Sequence, residues 1–291
     1  MLFNQPEKYF FKKRRTIQLD GKLISLELPM VMGIVNITPD SFFEGSRCNT
    51  EKEIIESARR MINDGASFLD LGAYSTRPGA AEVSVSDEIE RLDFAMNAIR
   101  AHFPSVPISI DTFRSEVAKE IISKHGPCII NDISGGTLDS NMFATVAELK
   151  VPYILMHIKG TPQNMQENPT YEDVFKETLH FLSERVATLR SMGVADIIID
   201  PGFGFGKDID HNYQLLNKLD GFKILEAPIL VGISRKSMIY KPLNISPQEA
   251  LNGTTVINTM SLIQGANILR VHDVKEAVEC VQIVSMTKCF K

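Results

Sequence analysis

Ile197-Ile198-Ile199-Asp200-Pro201-Gly202-Phe203-Gly204-Phe205-Gly206-Lys207 runs three isoleucines into a carboxylate and then into a glycine-rich turn. Short apolar runs of this kind, bounded by turn residues, read as strands. The pattern recurs at Val31 to Asn36, Phe68 to Ser75, Ile108 to Thr112, Ile129 to Asp132, Tyr153 to His157, Ile229 to Ser234 and Ile268 to His272. Every run closes on polar groups that can bind an anion, a metal or a hydrogen-bonding heterocycle. Most are followed by residues at helical spacing, and strand-helix alternation argues for a parallel sheet. Eight such units in a chain of 291 residues predict an α/β fold, a (β/α)8 TIM barrel, with the functional site where the strands end.

Working outward, Glu51 to Asn63, Asp87 to Arg100, Glu172 to Met192 and Val274 to Met286 carry apolar residues three and four apart and predict helices. Ahead of the first barrel strand, residues 16–28 alternate apolar and polar side chains around Asp20-Gly21 and predict a β-hairpin. We expect it to plug the N-terminal mouth of the barrel, and we expect residues 1–291 to form one domain, with the barrel over about 30–288. The longest connections, Ile37 to Thr50, Thr76 to Ser86, Ile158 to Thr170 and Pro201 to Asn212, are the candidates for functional loops.

Composition narrows the function classes. Hydrophobic residues make up 44% and charged residues 23%, ordinary values for a soluble globular chain. No apolar stretch approaches the roughly 20 residues of a membrane helix, so no membrane partner is expected. The basic run Lys12-Lys13-Arg14-Arg15 stands alone in a chain of net charge −5 and reads as a solvated arm; nucleic acid is not expected as a partner. Cys48, Cys128, Cys280 and Cys289 form no C-x-x-C pair and no metal-type spacing with histidine, as suits a reduced cytoplasmic protein.

The chemistry-bearing segments lie at the strand ends. Asn36-Ile37-Thr38-Pro39-Asp40-Ser41-Phe42-Phe43 can be an Asx-type turn, or Asn36 can offer its amide oxygen to a hard cation such as Mg²⁺. Thr76-Arg77-Pro78-Gly79 adds a hydroxyl and a guanidinium suited to a carboxylate or phosphate. Asp111, Asn131 and Asp200 follow isoleucines directly, and Asp132 comes next after Asn131. Converging there, they suit a ligand rich in N–H donors, while any one of them can instead cap a helix, as Asp111-Thr112 or Asp132 near Ser134 would. Residues 200–207 fit neither G-x-G-x-x-G nor the P-loop spacing; their glycines let backbone approach a flat ligand with phenylalanines as walls. Ser234-Arg235-Lys236-Ser237 and Arg270-Val271-His272-Asp273 are cationic, and the loops after strands seven and eight of such barrels frequently hold phosphate.

Taken together, Asn36 to Phe42, Ser75 to Ala80, Ser109 to Thr112, Asn131-Asp132, Met156-His157 with Gly160 to Pro162 and Met165-Gln166, Asp200 to Lys207, Ser234 to Ser237, and Arg270 to His272 resemble the dihydropteroate synthase family of pterin-binding enzymes. The resemblance runs from about Met30 to the C-terminus. It implies a transferase that condenses a dihydropterin methyl pyrophosphate with 4-aminobenzoate in folate synthesis, with Mg²⁺ as cofactor and a homodimer through the last helices. It implies that Asp111, Asn131, Met156, Asp200, Gly232, Lys236 and Arg270 bind pterin. Asn36, Thr76, Arg270 and His272 fall to pyrophosphate, Asn36 through the metal. Thr76, Arg77, Pro78, Phe203, Lys236 and Ser237 fall to 4-aminobenzoate, in a pocket that in this family also accepts sulfonamides. Asp111, Lys236 and Asn36 are the expected catalytic set. One departure stands out: many members have Gly-Gly-Glu where this chain has Gly72-Ala73-Tyr74, so no carboxylate role carries over there. Two rivals are a methyltetrahydrofolate methyltransferase on the same barrel and a non-catalytic pterin-binding homologue. The Thr76-Arg77-Pro78 and Ser234 to Ser237 segments speak against the first, and the presence of Asn36, Asp111 and Lys236 against the second.

Overall fold

The structure, a computed structural model, describes residues 16–37, 50–74, 83–165 and 167–288. Strands β1 (Thr16–Leu19) and β2 (Lys22–Ser25) pair antiparallel across Asp20-Gly21 as the expected hairpin. Eight parallel strands follow: β3 (Met30–Asn36), β4 (Phe68–Gly72), β5 (Ile108–Asp111), β6 (Ile129–Asp132), β7 (Tyr153–Met156), β8 (Ile197–Asp200), β9 (Leu230–Val231) and β10 (Ile268–Val271). Their order is β8-β7-β6-β5-β4-β3-β10-β9. A parallel bridge between Ile199 and Ile229, with Ile199 N donating to Pro228 O at 2.9 Å, brings β8 back to the segment leading into β9 and closes the ring.

Helices α1 (Glu51–Asn63), α2 (Val85–His102), α3 (Ser115–His125), α4 (Met142–Leu149), α5 (Val174–Ser191), α6 (Ile209–Asn217), α7 (Ser237–Leu243), α8 (Leu251–Gln264) and α9 (Val274–Lys288) alternate with the strands. Local chemistry sets several starts. Thr50 and Glu53 form a reciprocal capping box on α1, and the Asp173 carboxylate accepts from Phe175 N and Lys176 N at the head of α5.

Strand periodicity sorts the side chains. Outward residues such as Leu69, Leu71, Ile110, Ile130, Leu155, Ile197 and Ile199 join the helices in one large core. Inward residues Met32, Phe68, Ile129, Ile154, Ile198, Leu230 and Ile268 make a second cluster with Ile17, Leu19 and Leu26, so the hairpin region seals the N-terminal end as a plug. Because the pleat repeats every two residues, the next inward position on each strand lies one layer closer to the C-terminal rim. Phe68 is followed by Asp70, Ser109 by Asp111, Ile129 by Asn131, Ile154 by Met156, Ile198 by Asp200, Leu230 by Gly232 and Ile268 by Arg270. A floor that is apolar except for Ser109 therefore carries a layer that holds Asp70, Asp111, Asn131, Asp200 and Arg270, and the site rests on it.

Candidate active site

Arg270 is the hub of that layer. Its Nε donates to Asp70 Oδ2 at 2.6 Å and its Nη2 to Asp111 Oδ2 at 2.7 Å. Two carboxylates at 0% and 19% side-chain exposure would be costly without such pairing. Burial and the neighbouring carboxylates of Asp70, Glu88 and Asp132 push the Asp111 carboxyl up, against Arg270, which draws it down. Raised to about 7, the Asp111 carboxyl ionises only at a cost, and positive charge arising beside it lowers that cost.

Glycines keep the space above the floor open. A methyl group built on Gly72 would stand 3.6 Å from Asn36 Oδ1 and 3.8 Å from Asp111 Oδ2, so the amide and the carboxylate flank a gap with no side chain between them. Gly232 does the same between strands: a methyl there would stand 3.9 Å from both Arg270 Cδ and Asp200 Oδ2. Asp200 and Asn131 are buried, and Met156 lies in an apolar rim cluster with Ile133, Ile158, Met165, Phe113 and Phe205. An apolar cluster, acceptors at Asp200 and Asn131 and the Arg270 guanidinium, brought together on one rim, suit a flat heterocycle bearing N–H donors.

Lys236 closes one end. Its Nζ donates to Phe203 O at 2.6 Å and lies 4.5 Å from the centre of the Phe205 ring. A methyl on Gly204, at φ +80°, would approach Lys236 Cδ to 3.1 Å, so this turn needs glycine both for its backbone and for its contact. Burial brings Lys236 down to about 8, with Asp200 holding it up and Arg270 pressing it further down. Ser237 follows as the first residue of α7.

His272 and Ser234 join the last two loops: Ser234 Oγ lies 3.1 Å from His272 Nδ1 and accepts from His272 N at 3.2 Å. Arg235, at φ +56°, forks onto Asp273 with both bonds at 2.8 Å. Burial first, then Arg270, Arg235 and Lys236, lower His272 to about 3, so the imidazole stands neutral and offers N–H rather than charge.

The two phenylalanines of the glycine-rich turn part company. The Phe203 ring is fully buried in the core between barrel and helices, its carbonyl accepts from Lys236, and Phe205 is the ring in the rim cluster. Lys207 ties that turn down from inside, donating to Gly202 O at 2.9 Å and Phe205 O at 3.0 Å and meeting His157 Nδ1 at 2.8 Å. Asp132 takes the structural alternative, accepting from Ser134 N, Gly136 N and the Tyr153 hydroxyl. Asp111 caps no helix and faces the site. Tyr74 meets Phe113 edge-on at 5.2 Å beneath the Arg114 guanidinium, which is paired with buried Glu88.

The structure thus brings Asn36, Asp111, Asn131, Met156, Asp200, Gly232, Lys236, Ser237, Arg270 and His272 to one rim. Thr76, Arg77, Pro78 and the segment from Thr38 to Phe43 lie outside the described residues. Asp70 lies inside its strand rather than at its end, and its signal in the sequence is a carboxylate amid Phe68-Leu69 and Leu71, which marks a paired interior charge.

No group of three or more His, Cys, Asp or Glu side chains fit to hold a metal occurs among the described residues. Asn36 supplies one neutral oxygen at the gap. That donor suits Mg²⁺, which binds through few protein ligands and completes its shell with water and substrate phosphates. No helix among the described residues is long and apolar enough to cross a membrane.

Comparison with known proteins places the chain. The model of the pterin binding enzyme family matches residues 32–272. The chain is 45% identical over 273 residues to the dihydropteroate synthase of Escherichia coli K12, covering 93% of this chain and 96% of that one. Among solved structures, the Yersinia pestis dihydropteroate synthase with a sulfonamide drug complex superposes with a TM-score of 0.89 at 39% identity, over 95% of this chain and all of that one. The Xanthomonas albilineans enzyme with 4-aminobenzoic acid gives 0.85 at 35% identity, over 94% and 98%.

Proposed function

The chain belongs to the pterin-binding enzyme family, and from the site it carries we propose that it is a dihydropteroate synthase acting by an S_N1-like substitution. The reaction joins 6-hydroxymethyl-7,8-dihydropterin pyrophosphate to 4-aminobenzoate, releasing pyrophosphate. The observation that carries the reading is the single layer holding Asp111, Asn131, Asp200 and Arg270 over the largely apolar floor, with Lys236 at its edge.

On this reading Asp200 and Asn131 accept from the aminopyrimidine edge of the pterin, Met156 and Gly232 line its faces and the Arg270 guanidinium lies over the ring. Lys236 donates to the pterin and borders the aminobenzoate with Ser237, Phe205, Thr76, Arg77 and Pro78. The aryl amine is a free nucleophile near neutral pH and needs no base. The protein's work is on the leaving group: Thr76, Arg270 and His272 hold the pyrophosphate as the carbon–oxygen bond opens, and Asp111 stabilises the positive charge on the pterin methylene. The amine then forms the new carbon–nitrogen bond and gives up its proton. Asn36 would hold Mg²⁺, which would supply neutralisation of the charge on the pyrophosphate.

A homodimer belongs to the same proposal. Val256, Met260 and Ile263 lie four and three residues apart on α8, exposed at 51%, 40% and 66%, beside exposed Ile283 and Met286 on α9. Such an apolar stripe suits a second copy of the chain. A cytoplasmic location completes it, with Cys128 and Cys280 as buried free thiols. Incubation with the pterin pyrophosphate, 4-aminobenzoate and Mg²⁺ is expected to yield dihydropteroate and pyrophosphate in equal amounts. Folded protein that makes neither would overturn the proposal.

A further inference from the structure

Asp70 joins two residues of the slot, Arg270 and Asn131. Fully buried on β4, it accepts from Arg270 Nε at 2.6 Å and from Asn131 Nδ2 at 3.2 Å, both on Oδ2. A carboxylate can only accept here, so it dictates which end of the Asn131 amide faces it. Turned the other way, Asn131 Oδ1 would oppose a carboxylate oxygen in a water-poor interior and a charge-assisted bond would be lost, a preference of roughly 10-fold or more. Asn131 Oδ1, in contrast, meets no donor among the described residues and is not among the sealed, unpartnered atoms, so it opens on the slot.

We propose that Asp70 is a positioning residue that locks the Asn131 amide with its oxygen toward the slot and thereby makes the slot select heterocycles with a donor edge. The inference rests on the pterin reading above and adds to it the origin of the selectivity. Asp70 touches no substrate. It acts through Asn131, and through Arg270 it holds the guanidinium between two carboxylates so that its plane is fixed.

The test is calorimetric binding of 6-hydroxymethylpterin and of its 2-oxo analogue, which replaces the exocyclic amine donor with a carbonyl acceptor, to the wild type and to Asp70→Asn. Wild type is expected to prefer the amine by roughly 10-fold or more, and the variant, whose amide can donate to Asn131, to lose about 10-fold of that ratio. Equal weakening of both ligands, with the ratio kept, would reduce Asp70 to a structural role and overturn the proposal. Should Asp70→Asn fail to fold, NMR of the wild type decides: the Asn131 side-chain amide protons are expected to exchange slowly with and without pterin, and exchange at the rate of a solvent-exposed amide would refute the lock. A wild type that binds neither heterocycle sinks the pterin reading itself, a result distinct from either.

Discussion

Arg270 and Asp111 stand 159 residues apart in the chain and meet at 2.7 Å on the rim of the barrel. The pair sets a guanidinium and a carboxyl in direct contact beside the slot where the proposed reaction takes place. Preorganisation of this kind requires that neither group reorient as charge develops.

Asp111→Asn keeps the shape and the hydrogen-bonding reach of the side chain and removes its charge. Pterin affinity is expected to remain largely intact while kcat drops about 10²-fold or more, the scale of losing one preorganised electrostatic contact. Steady-state kinetics beside a pterin titration separate the two effects. A near-normal kcat would take Asp111 out of the mechanism.

Lys236→Ala removes the ammonium that borders Asp200, Phe205 and the Phe203 carbonyl. Pterin binding is expected to weaken by roughly 10- to 100-fold, as for a hydrogen bond to a charged group. Since burial brings Lys236 down to about 8, its contribution is full below that pH. Wild-type affinity should converge on that of the variant as pH rises past it. Calorimetry across the range checks both, and a constant gap above pH 8 would contradict the second.

Two imidazoles are kept neutral in the fold. Burial is the main cause in each, reinforced by Lys207 beside His157 and by Arg270 beside His272. Their folded values lie below the ordinary 6.5, so the stability linked to them is complete above that pH. It is lost as pH falls toward about 3 in the case of His272. Urea unfolding between pH 4 and 6.5 should show stability falling with acid by up to about 1.4 kcal/mol per pH unit for each such histidine. His272→Gln should flatten that slope by one histidine's share; an identical slope would mean that His272 titrates normally.

Ile263→Glu sets a charge in the exposed apolar stripe of α8. Sedimentation is expected to show the wild type as a dimer and the variant shifted toward monomer with its circular dichroism unchanged. A wild type that sediments as a monomer would refute the second copy as occupant.

The barrel and most of its rim were legible in the sequence because both follow from one period. Isoleucine runs ending in Asp111, Asn131 and Asp200 state the strand, its direction and its open end at once, and the Asp20-Gly21 turn states the hairpin. What escaped lay off that logic. Asp70 sits one layer inside the strand end, where only its charge among apolar neighbours marks it. Gly-Phe-Gly-Phe alternates, but Gly202 and Gly204 turn the backbone at positive φ, so the alternation does not tell that Phe203 goes to the core and Phe205 to the rim. Lys207 reads as the polar end of a loop, and only tertiary packing folds its ammonium inward onto Gly202 and Phe205.

The most direct measurement is a crystal structure of the protein with the pterin pyrophosphate bound. The account predicts the aminopyrimidine edge within hydrogen-bonding distance of Asp200 and Asn131 Oδ1, the ring against Arg270, and the pyrophosphate reaching His272. A ligand seated away from that layer, or one whose edge touches neither Asp200 nor Asn131, would contradict it.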